Sequence, residues 1–309
     1  MLRAMSDATL SAPPEGAVSP SAAQAAIVRP PRRYGLMNGL GTWTLYKREV
    51  QRYIKVWMQT LFAPVITTLL FMTVFKLAFG DRGQLTGDFE GLIYNNFLAP
   101  GLVVMGILQN AFQNTSSSLT ISKVQGSQVD FLMPPLSPLE LTVGFIAGAA
   151  TRGVMVGLIS GLAIHFSGTL IWLITFGQVH VDSLASLNIS HLWAVVYFGA
   201  AASIILGALG AMGGIWADKF DHLAAVTNFV IVPLTFLSGT FYDIKVMVEP
   251  FYTIAHFDPF FYLIDGFRYG FLGVANSSVM TGVAVSGILA VLTSAGVWWM
   301  FRSGYKLKA

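Results

Sequence analysis

Long apolar runs separated by short polar stretches dominate the chain from residue 57 onward. A helix needs about 20 mostly apolar residues to cross the hydrocarbon core of a bilayer. Six segments have this length and character: Trp57–Phe79, Leu92–Phe112, Leu139–His165, Leu192–Trp216, Leu223–Tyr242 and Val279–Phe301. The sequence shows none of the short alternating segments that form membrane β-barrels. The pattern therefore predicts an all-α integral membrane protein with six transmembrane helices.

The composition agrees with a membrane protein. Of the 309 residues, 54% are hydrophobic and 11% are charged, whereas soluble domains carry about 25% charged residues. The absence of cysteine excludes disulfides, thiolate metal sites and cysteine nucleophiles. Residues 1–38 are rich in Ala, Pro and Ser and have no apolar core of a secretory signal. They are predicted to form a disordered cytoplasmic tail, followed by a membrane domain at 39–309.

Basic residues indicate the orientation. They flank the first span on its N-terminal side and follow the last span, at Arg29, Arg32, Arg33, Lys47, Arg48, Arg52, Lys55, Arg302, Lys306 and Lys308. The loop after the first span instead has three acids against Arg82. Because Lys and Arg concentrate on the cytoplasmic side, both termini are predicted to be cytoplasmic, as an even number of spans requires.

The segment Thr42–Val56 before the first span has an amphipathic pattern. Its apolar positions can share one face of a helix, and its basic positions fall largely on another; the apolar set is Leu45, Val50, Tyr53 and Ile54. This pattern is typical of a helix lying in the cytoplasmic membrane interface, the alternative being a basic flank that only sets the orientation. The lone acid, Glu49, is expected to pair with a Lys or Arg four residues away.

The stretch 114–141 between the second and third spans is too long for a simple helix hairpin. Ser137, Pro138 and Glu140 have the order of a helix N-cap, first position and first turn. A short helical element that projects into the cytoplasm is predicted just before them; the alternative is a solvated linker.

The sequence KVQGSQVDFLMPPLSPLEL, residues 123–141, resembles the coupling region of the permease subunits of ABC-2-type exporters. The resemblance implies that this region and the interface helix receive the motion of separate ATPase subunits. The implied ATPase-coupling residues are Lys123, Gln125, Gly126, Asp130, Leu132, Pro134 and Pro135. The corresponding residues of the interface helix are Lys47, Arg48, Glu49 and Arg52.

Two later segments resemble the same family. PLTFLSGTFY, residues 233–242, is similar to its signature at the end of the fifth span, and FDPFFYLIDGFRYGFLG, residues 257–273, is similar to its segment with an Asn-Pro pair, a tyrosine and an arginine. Asp243 and Asp258 depart from the family's usual proline and asparagine. The resemblance implies two short re-entrant helices on the outer side before the last span. The implied transport-path residues are Arg152, Ser238, Gly239, Tyr242, Pro259, Tyr262 and Arg268.

Some of these residues also have structural interpretations. The aromatic residues at 241–269 suit an interfacial belt as well as an exit path. An arginine at mid-helix, as at position 152, should face the bundle or a wet cavity, in a functional or a structural role. Asp265 and Arg268 are spaced to pair on a helix. Four glycines of the fourth span suit close helix packing: Gly207, Gly210, Gly213 and Gly214.

Catalytic motifs are absent from the sequence. Gly-Lys never occurs, so there is no Walker A motif, and the histidines lack metal-binding spacing. With the resemblance, this predicts a non-catalytic permease in the bacterial inner membrane that binds no cofactor or metal. It would act as two copies with ATPase subunits that use ATP and Mg²⁺, and would export a glycan, lipid or amphipathic small molecule without contacting nucleic acid. The alternatives are a secondary transporter or channel not powered by ATP, or a lipid-modifying membrane enzyme.

Overall fold

The computed structural model describes residues 37–79, 89–174 and 183–307, and the chain within these ranges is helical, without strands. The predicted all-α class is therefore confirmed. The tail predicted at 1–38 lies outside the described residues except for its last two positions. Five helical segments in the described ranges are long and apolar enough to cross a membrane: Met58–Ala78, Pro138–His165, Leu192–Trp216, Phe220–Leu237 and Val279–Ser303.

The first helix, α1, spans Gly39–Lys55 and starts three residues before the predicted segment. It begins there because the side chain of Asn38 accepts a hydrogen bond from the Gly41 backbone N–H at 2.9 Å, which satisfies one of the free donors of the first turn. A π-helical turn, Met58–Phe62, leads into α2, Ala63–Phe79. These two segments form the predicted first span.

The helix α3, Tyr94–Val124, corrects the prediction for the second span, which stopped at Phe112. The helix continues through the serines after Phe112, whose hydroxyls donate to carbonyls one turn earlier, as from Ser116 to Phe112 at 2.7 Å and from Ser122 to Ser118 at 2.9 Å. Several of these polar residues are buried against neighbouring helices. This helix is not one of the five apolar segments, so the predicted number of six spans stays a prediction.

A short helix, α4 (Val129–Leu132), precedes α5, Pro138–His165. The predicted start of α5 is confirmed as a capping box: the Glu140 backbone N–H donates to Ser137 Oγ at 3.3 Å, and the Ser137 N–H donates to Glu140 Oε2 at 2.6 Å. After α5 the chain turns into α6, Ser167–Ile174.

The second half of the chain contains two long helices and several short ones. In chain order they are α7 (Leu192–Trp216), α8 (Phe220–Val226), a π-helical turn (Thr227–Ile231), α9 (Val232–Leu237), a 3₁₀ turn (Ile244–Val246), α10 (Phe251–Phe257), α11 (Pro259–Leu272) and α12 (Val279–Ser303). The prediction of a fifth span to Tyr242 is wrong at its end: the helix stops at Leu237, and Gly239 has a positive φ of 75° that an α-helix cannot contain. Two short helices, α10 and α11, do precede the last span.

The core is built around α3, which packs against α5, α7 and α11. Glycines of α7 allow this close approach, since a Cβ on Gly210 would lie 2.3 Å from the Phe112 carbonyl oxygen. A hydrogen bond of 2.6 Å from Thr115 Oγ1 to the Gly207 carbonyl crosses the same interface. Of the four glycines noted in the sequence, Gly213 is the exception, because its nearest neighbours would be 3.6 Å away.

Candidate functional site

A cleft of about 830 Å³ lies between α2, α3 and the segment Phe220–Leu237. Phe71, Leu102 and Met105 give part of its wall an apolar surface, and Val56, Ile121, Phe220 and Leu223 add apolar surface elsewhere. The wall also carries hydroxyls of serines and threonines and side-chain amides at Gln59, Gln109, Asn110, Gln113 and Asn228. The wall of the cleft therefore combines apolar and polar surface.

Arg152 reaches this cleft from α5 and is the only predicted transport-path residue on its wall within the described chain. Its side chain is 6% exposed, and Nη2 donates to Asn110 Oδ1 at 3.0 Å. Its Nε has no hydrogen-bond partner among the described residues. The arginine thus faces a cavity rather than lipid, as the cost of a lipid-facing charge requires.

Arg52 enters the same cleft from α1. Its Nη2 donates to the backbone and side-chain oxygens of Asn114 at 2.6 and 2.9 Å, and its Nη1 donates to Ser117 Oγ at 3.2 Å. The four interface-helix residues therefore differ in their surroundings, since Lys47 is exposed and Arg48 is half-buried.

Glu49 is fully buried, and its position corrects the expected faces of α1. The buried stripe is Leu45, Glu49 and Tyr53, whereas Ile54 is 45% exposed. Glu49 does not pair four residues away: its oxygens lie 3.5 Å from Arg48 and 3.4 Å from Arg52, and it accepts a hydrogen bond from Ser118 Oγ at 2.8 Å. The buried acid is tolerated between α1 and α3 because two arginines and a serine hydroxyl lie close to its oxygens.

The segment between α3 and α5, residues 125–137, forms a compact exposed loop. Gly126 has a φ of 68°, which turns the chain after α3. Six of the seven predicted coupling residues are exposed here, namely Gln125, Gly126, Asp130, Leu132, Pro134 and Pro135. The loop is anchored by Phe131, which is 2% exposed and packs edge-on against Phe145 with ring centroids 5.5 Å apart.

Lys123, the seventh predicted coupling residue, is half-buried at the end of α3. Its Nζ donates to the backbone carbonyls of Ile215 and Ala217, the latter at 3.1 Å. Lys123 thus provides a hydrogen-bond donor for carbonyls at the C-terminal end of α7 that have no partner within the helix. Asp218 follows these carbonyls and accepts a 2.9 Å hydrogen bond from Lys306, which lowers the pKa of the Asp218 carboxyl. The ends of α3, α7 and α12 therefore meet at this point.

The other predicted transport-path residues lie around the start of α11, away from the cleft wall. Pro259 is the first residue of α11, and Asp258 is its N-cap, with Oδ1 accepting from the Phe260 N–H at 2.9 Å. Asp258 Oδ2 accepts from Ser238 Oγ at 2.7 Å, and burial raises the pKa of the Asp258 carboxyl. Tyr242 and Tyr262 are half-buried beside this group.

Arg268 is 1% exposed and holds this region against α3. Its Nη2 donates to the Gly239 carbonyl at 2.7 Å and its Nε to the Phe97 carbonyl at 3.3 Å, while its guanidinium carbon lies 3.8 Å from the centre of the Phe97 ring. The expected pair with Asp265 does not form. Asp265 instead accepts hydrogen bonds from the backbone N–H groups of Asn276 and Ser277, both at 2.9 Å, since it faces the turn before α12.

The amides of the cleft were not among the residues predicted from the sequence. A signal was present, because Gln109, Asn110, Gln113 and Asn114 recur at helical spacing at the end of the second apolar run. Polar positions with that spacing form a stripe along one part of a helix. The stripe places three of the four amides on the cleft wall and directs Asn114 to Arg52.

Known proteins resemble this chain over most of its length. The family model of the ABC-2 type transporter matches residues 41–272. The inner membrane transport permease YadH of Escherichia coli K12 is 30% identical over 267 residues, which are 86% of this chain and 96% of YadH. Nodulation protein J of Rhizobium leguminosarum bv. viciae is 25% identical over 254 residues, covering 81% and 88% of the two chains.

The family match and the fold agree on the class of protein. The match spans α1 to the end of α11, so it includes the cleft, the exposed loop and the Arg268 region. The apolar helices and the similarity to an inner membrane permease indicate a multi-pass inner membrane protein. The chain therefore belongs to the ABC-2 type transporter family, as a transport permease.

Proposed function

We propose that this chain is the transmembrane subunit of an ATP-driven exporter and works with separate ATPase subunits. The observation that carries the proposal is the loop 125–137. It exposes apolar side chains on the short helix α4 and at its C-cap, with Leu132 40% and Met133 78% exposed, while Phe131 anchors the loop. An exposed apolar tip on a fixed base suits docking to another protein. The loop directly joins α3 to α5, so a force on it reaches both helices.

Two copies of the chain would complete the transport path. Only 17% of the apolar window is buried in Met58–Ala78, in Phe220–Leu237 and in Val279–Ser303, against 56% in Pro138–His165. The first two of these weakly packed segments are also two walls of the cleft. A second copy placed against them would enclose the cleft, which supports its assignment as the path of a glycan, lipid or amphipathic small molecule.

The basic N-terminal flank supports an orientation in which the loop 125–137 and both termini are cytoplasmic. This orientation includes α3 as a sixth span. Helices α10 and α11 then lie on the outer side as a re-entrant pair. Their aromatic side chains suit the membrane–water interface.

Single cysteines should report this orientation, because the native chain has none. A cysteine at Met133 should react with a membrane-impermeant maleimide only after the cytoplasmic side is opened. A cysteine at Val248, which is 76% exposed, should react in intact spheroplasts. Reaction of both positions from the same side would contradict a six-span topology.

Substitutions in the loop should test its coupling role in a complex with the ATPase that co-purifies with the chain. Gly126→Pro should disrupt the turn, since proline cannot adopt a φ of 68°. Asp130→Arg reverses an exposed charge. We expect each variant to weaken binding of the ATPase by at least about tenfold, or about 1.4 kcal/mol, or to leave ATP hydrolysis without transport.

The matched control is Glu249→Arg, which reverses an exposed charge between the 3₁₀ turn and α10, outside the loop 125–137. It should bind the ATPase and support transport as the native chain does. Normal binding, hydrolysis and transport in both loop variants would exclude the coupling role. Purification without any ATPase under gentle conditions would instead favour a transporter not powered by ATP.

A further inference from the structure

The cleft has an excess of positive charge. Arg52 and Arg152 line it, and the described residues on its wall include no Asp or Glu. Glu49 is the nearby acid, but its contacts are with Arg48 and Arg52. No carboxylate of the described chain lies within 4.0 Å of the Arg152 guanidinium.

The two arginines also have unused donors. The Nε atoms of Arg52 and Arg152 are buried and have no hydrogen-bond partner in the described chain. The other nitrogens of both arginines donate to neutral amide and hydroxyl oxygens on α3, at Asn110, Asn114 and Ser117. Arg52 also lies 3.4 Å from Glu49, whereas Arg152 has no acidic partner in the described chain. A buried charge is costly unless it is paired, so an external anion would stabilise Arg152 in particular.

The shape of the wall indicates what kind of molecule would carry that anion. Along α3, the side-chain oxygens that bind the arginines belong to Asn110, Asn114 and Ser117, and the apolar Leu102 and Met105 lie on the cleft wall about one to two turns before Asn110. The distance from Leu102 to Ser117 along the axis of α3 is about 22 Å. An amphiphile could place its anionic group at the arginines and its apolar chain along Leu102 and Met105.

We propose that the cleft binds an anionic amphiphile, with its phosphate or carboxylate group at Arg52 and Arg152 and its apolar part toward Phe71 and Leu102. Arginine suits this role because its planar guanidinium matches the geometry of both oxyanions. The proposal rests on the proposed function only in treating the bound amphiphile as the transported substrate. Binding itself needs no ATPase.

The test uses the purified full chain in detergent, without ATPase, and titrates it with short-chain phosphatidylglycerol, short-chain phosphatidylcholine and inorganic phosphate. We expect phosphatidylglycerol to bind at least tenfold more tightly than either of the other two probes. Equal affinity for the zwitterionic lipid would overturn the requirement for an anion. Equal affinity for inorganic phosphate would overturn the requirement for an amphiphile.

Variants separate a specific site from general attraction to anionic lipid. Gln113→Glu adds a negative charge at an exposed position of the cleft, three residues from Asn110, with almost no change in size. Gln128→Glu makes the same change outside the cleft. We expect at least a tenfold loss of phosphatidylglycerol affinity for the first and none for the second, and equal affinities would overturn the site.

Arg152→Gln and Arg152→Lys test the guanidinium directly. We expect affinity to fall at least tenfold with glutamine and to be partly restored with lysine, which retains the charge but not the planar donors. Native affinity in Arg152→Gln would overturn the assignment. Because ATPase co-purification is measured separately, failure of lipid binding and failure of the exporter function give different results.

Discussion

Replacing Arg268 with leucine should unfold the protein at a temperature about 10 °C lower than the native chain. The substitution leaves the Phe97 and Gly239 carbonyls without this buried donor, at a cost of about 1–3 kcal/mol for each group. It also removes a cation–π contact over the Phe97 ring, worth up to about 2 kcal/mol when desolvated. The loss in free energy of unfolding should be about 3–6 kcal/mol.

Thermal unfolding in detergent, followed by tryptophan fluorescence, would measure this effect. Arg302→Leu is the matched control, because Arg302 is exposed at the end of α12 and contacts Trp298 only at 5.0 Å. It should change the midpoint by no more than about 2 °C. An unfolding midpoint of Arg268→Leu equal to that of the control would show that the buried arginine does not stabilise α11 against α3.

Gly210→Ala should destabilise the protein by about 1–3 kcal/mol, because the new Cβ would lie 2.3 Å from the Phe112 carbonyl oxygen and 2.5 Å from Thr115 Oγ1. Neither backbone can move without separating α3 from α7. The change should also weaken the hydrogen bond from Thr115 to Gly207. Chemical denaturation in detergent would measure the difference.

Gly213→Ala makes the same substitution one turn later on the same helix. Its Cβ would meet Leu223 and Phe112 at 3.6 Å, which is ordinary contact. Its free energy of unfolding should stay within about 0.5 kcal/mol of native or increase slightly, since alanine favours a helix. Equal destabilisation by the two alanines would mean that helix propensity or lipid packing, rather than the α3–α7 distance, decides the cost.

The sequence predicts the apolar spans well because lipid and core both require continuous apolar helices. The limits of α7 were predicted to the residue, and the start of α5 was predicted because its cap is local: Ser137, Pro138 and Glu140 interact with each other. Local signals of this kind need no knowledge of the partner helices.

The extension of α3 beyond Phe112 was missed because serine and threonine are usually found in loops. Here, their hydroxyls bond to the preceding turn and their surfaces are buried by α1 and α7. The position of Glu49 was missed for a related reason. Its partner Ser118 is 69 residues away in the chain, so no local pattern could reveal a buried acid on the apolar side of α1.

The carboxylate of Glu140 connects the starts of two helices. Its Oε1 accepts from the Asn38 N–H and its Oε2 from the Ser137 N–H, so one carboxylate joins the residues at which α1 and α5 begin. The Asn38 side chain also donates to the Pro135 carbonyl at 3.3 Å. A displacement of the loop 125–137 would therefore move the starts of both helices together. If a bound protein displaces the loop, we expect α1 and α5 to tilt together rather than separately.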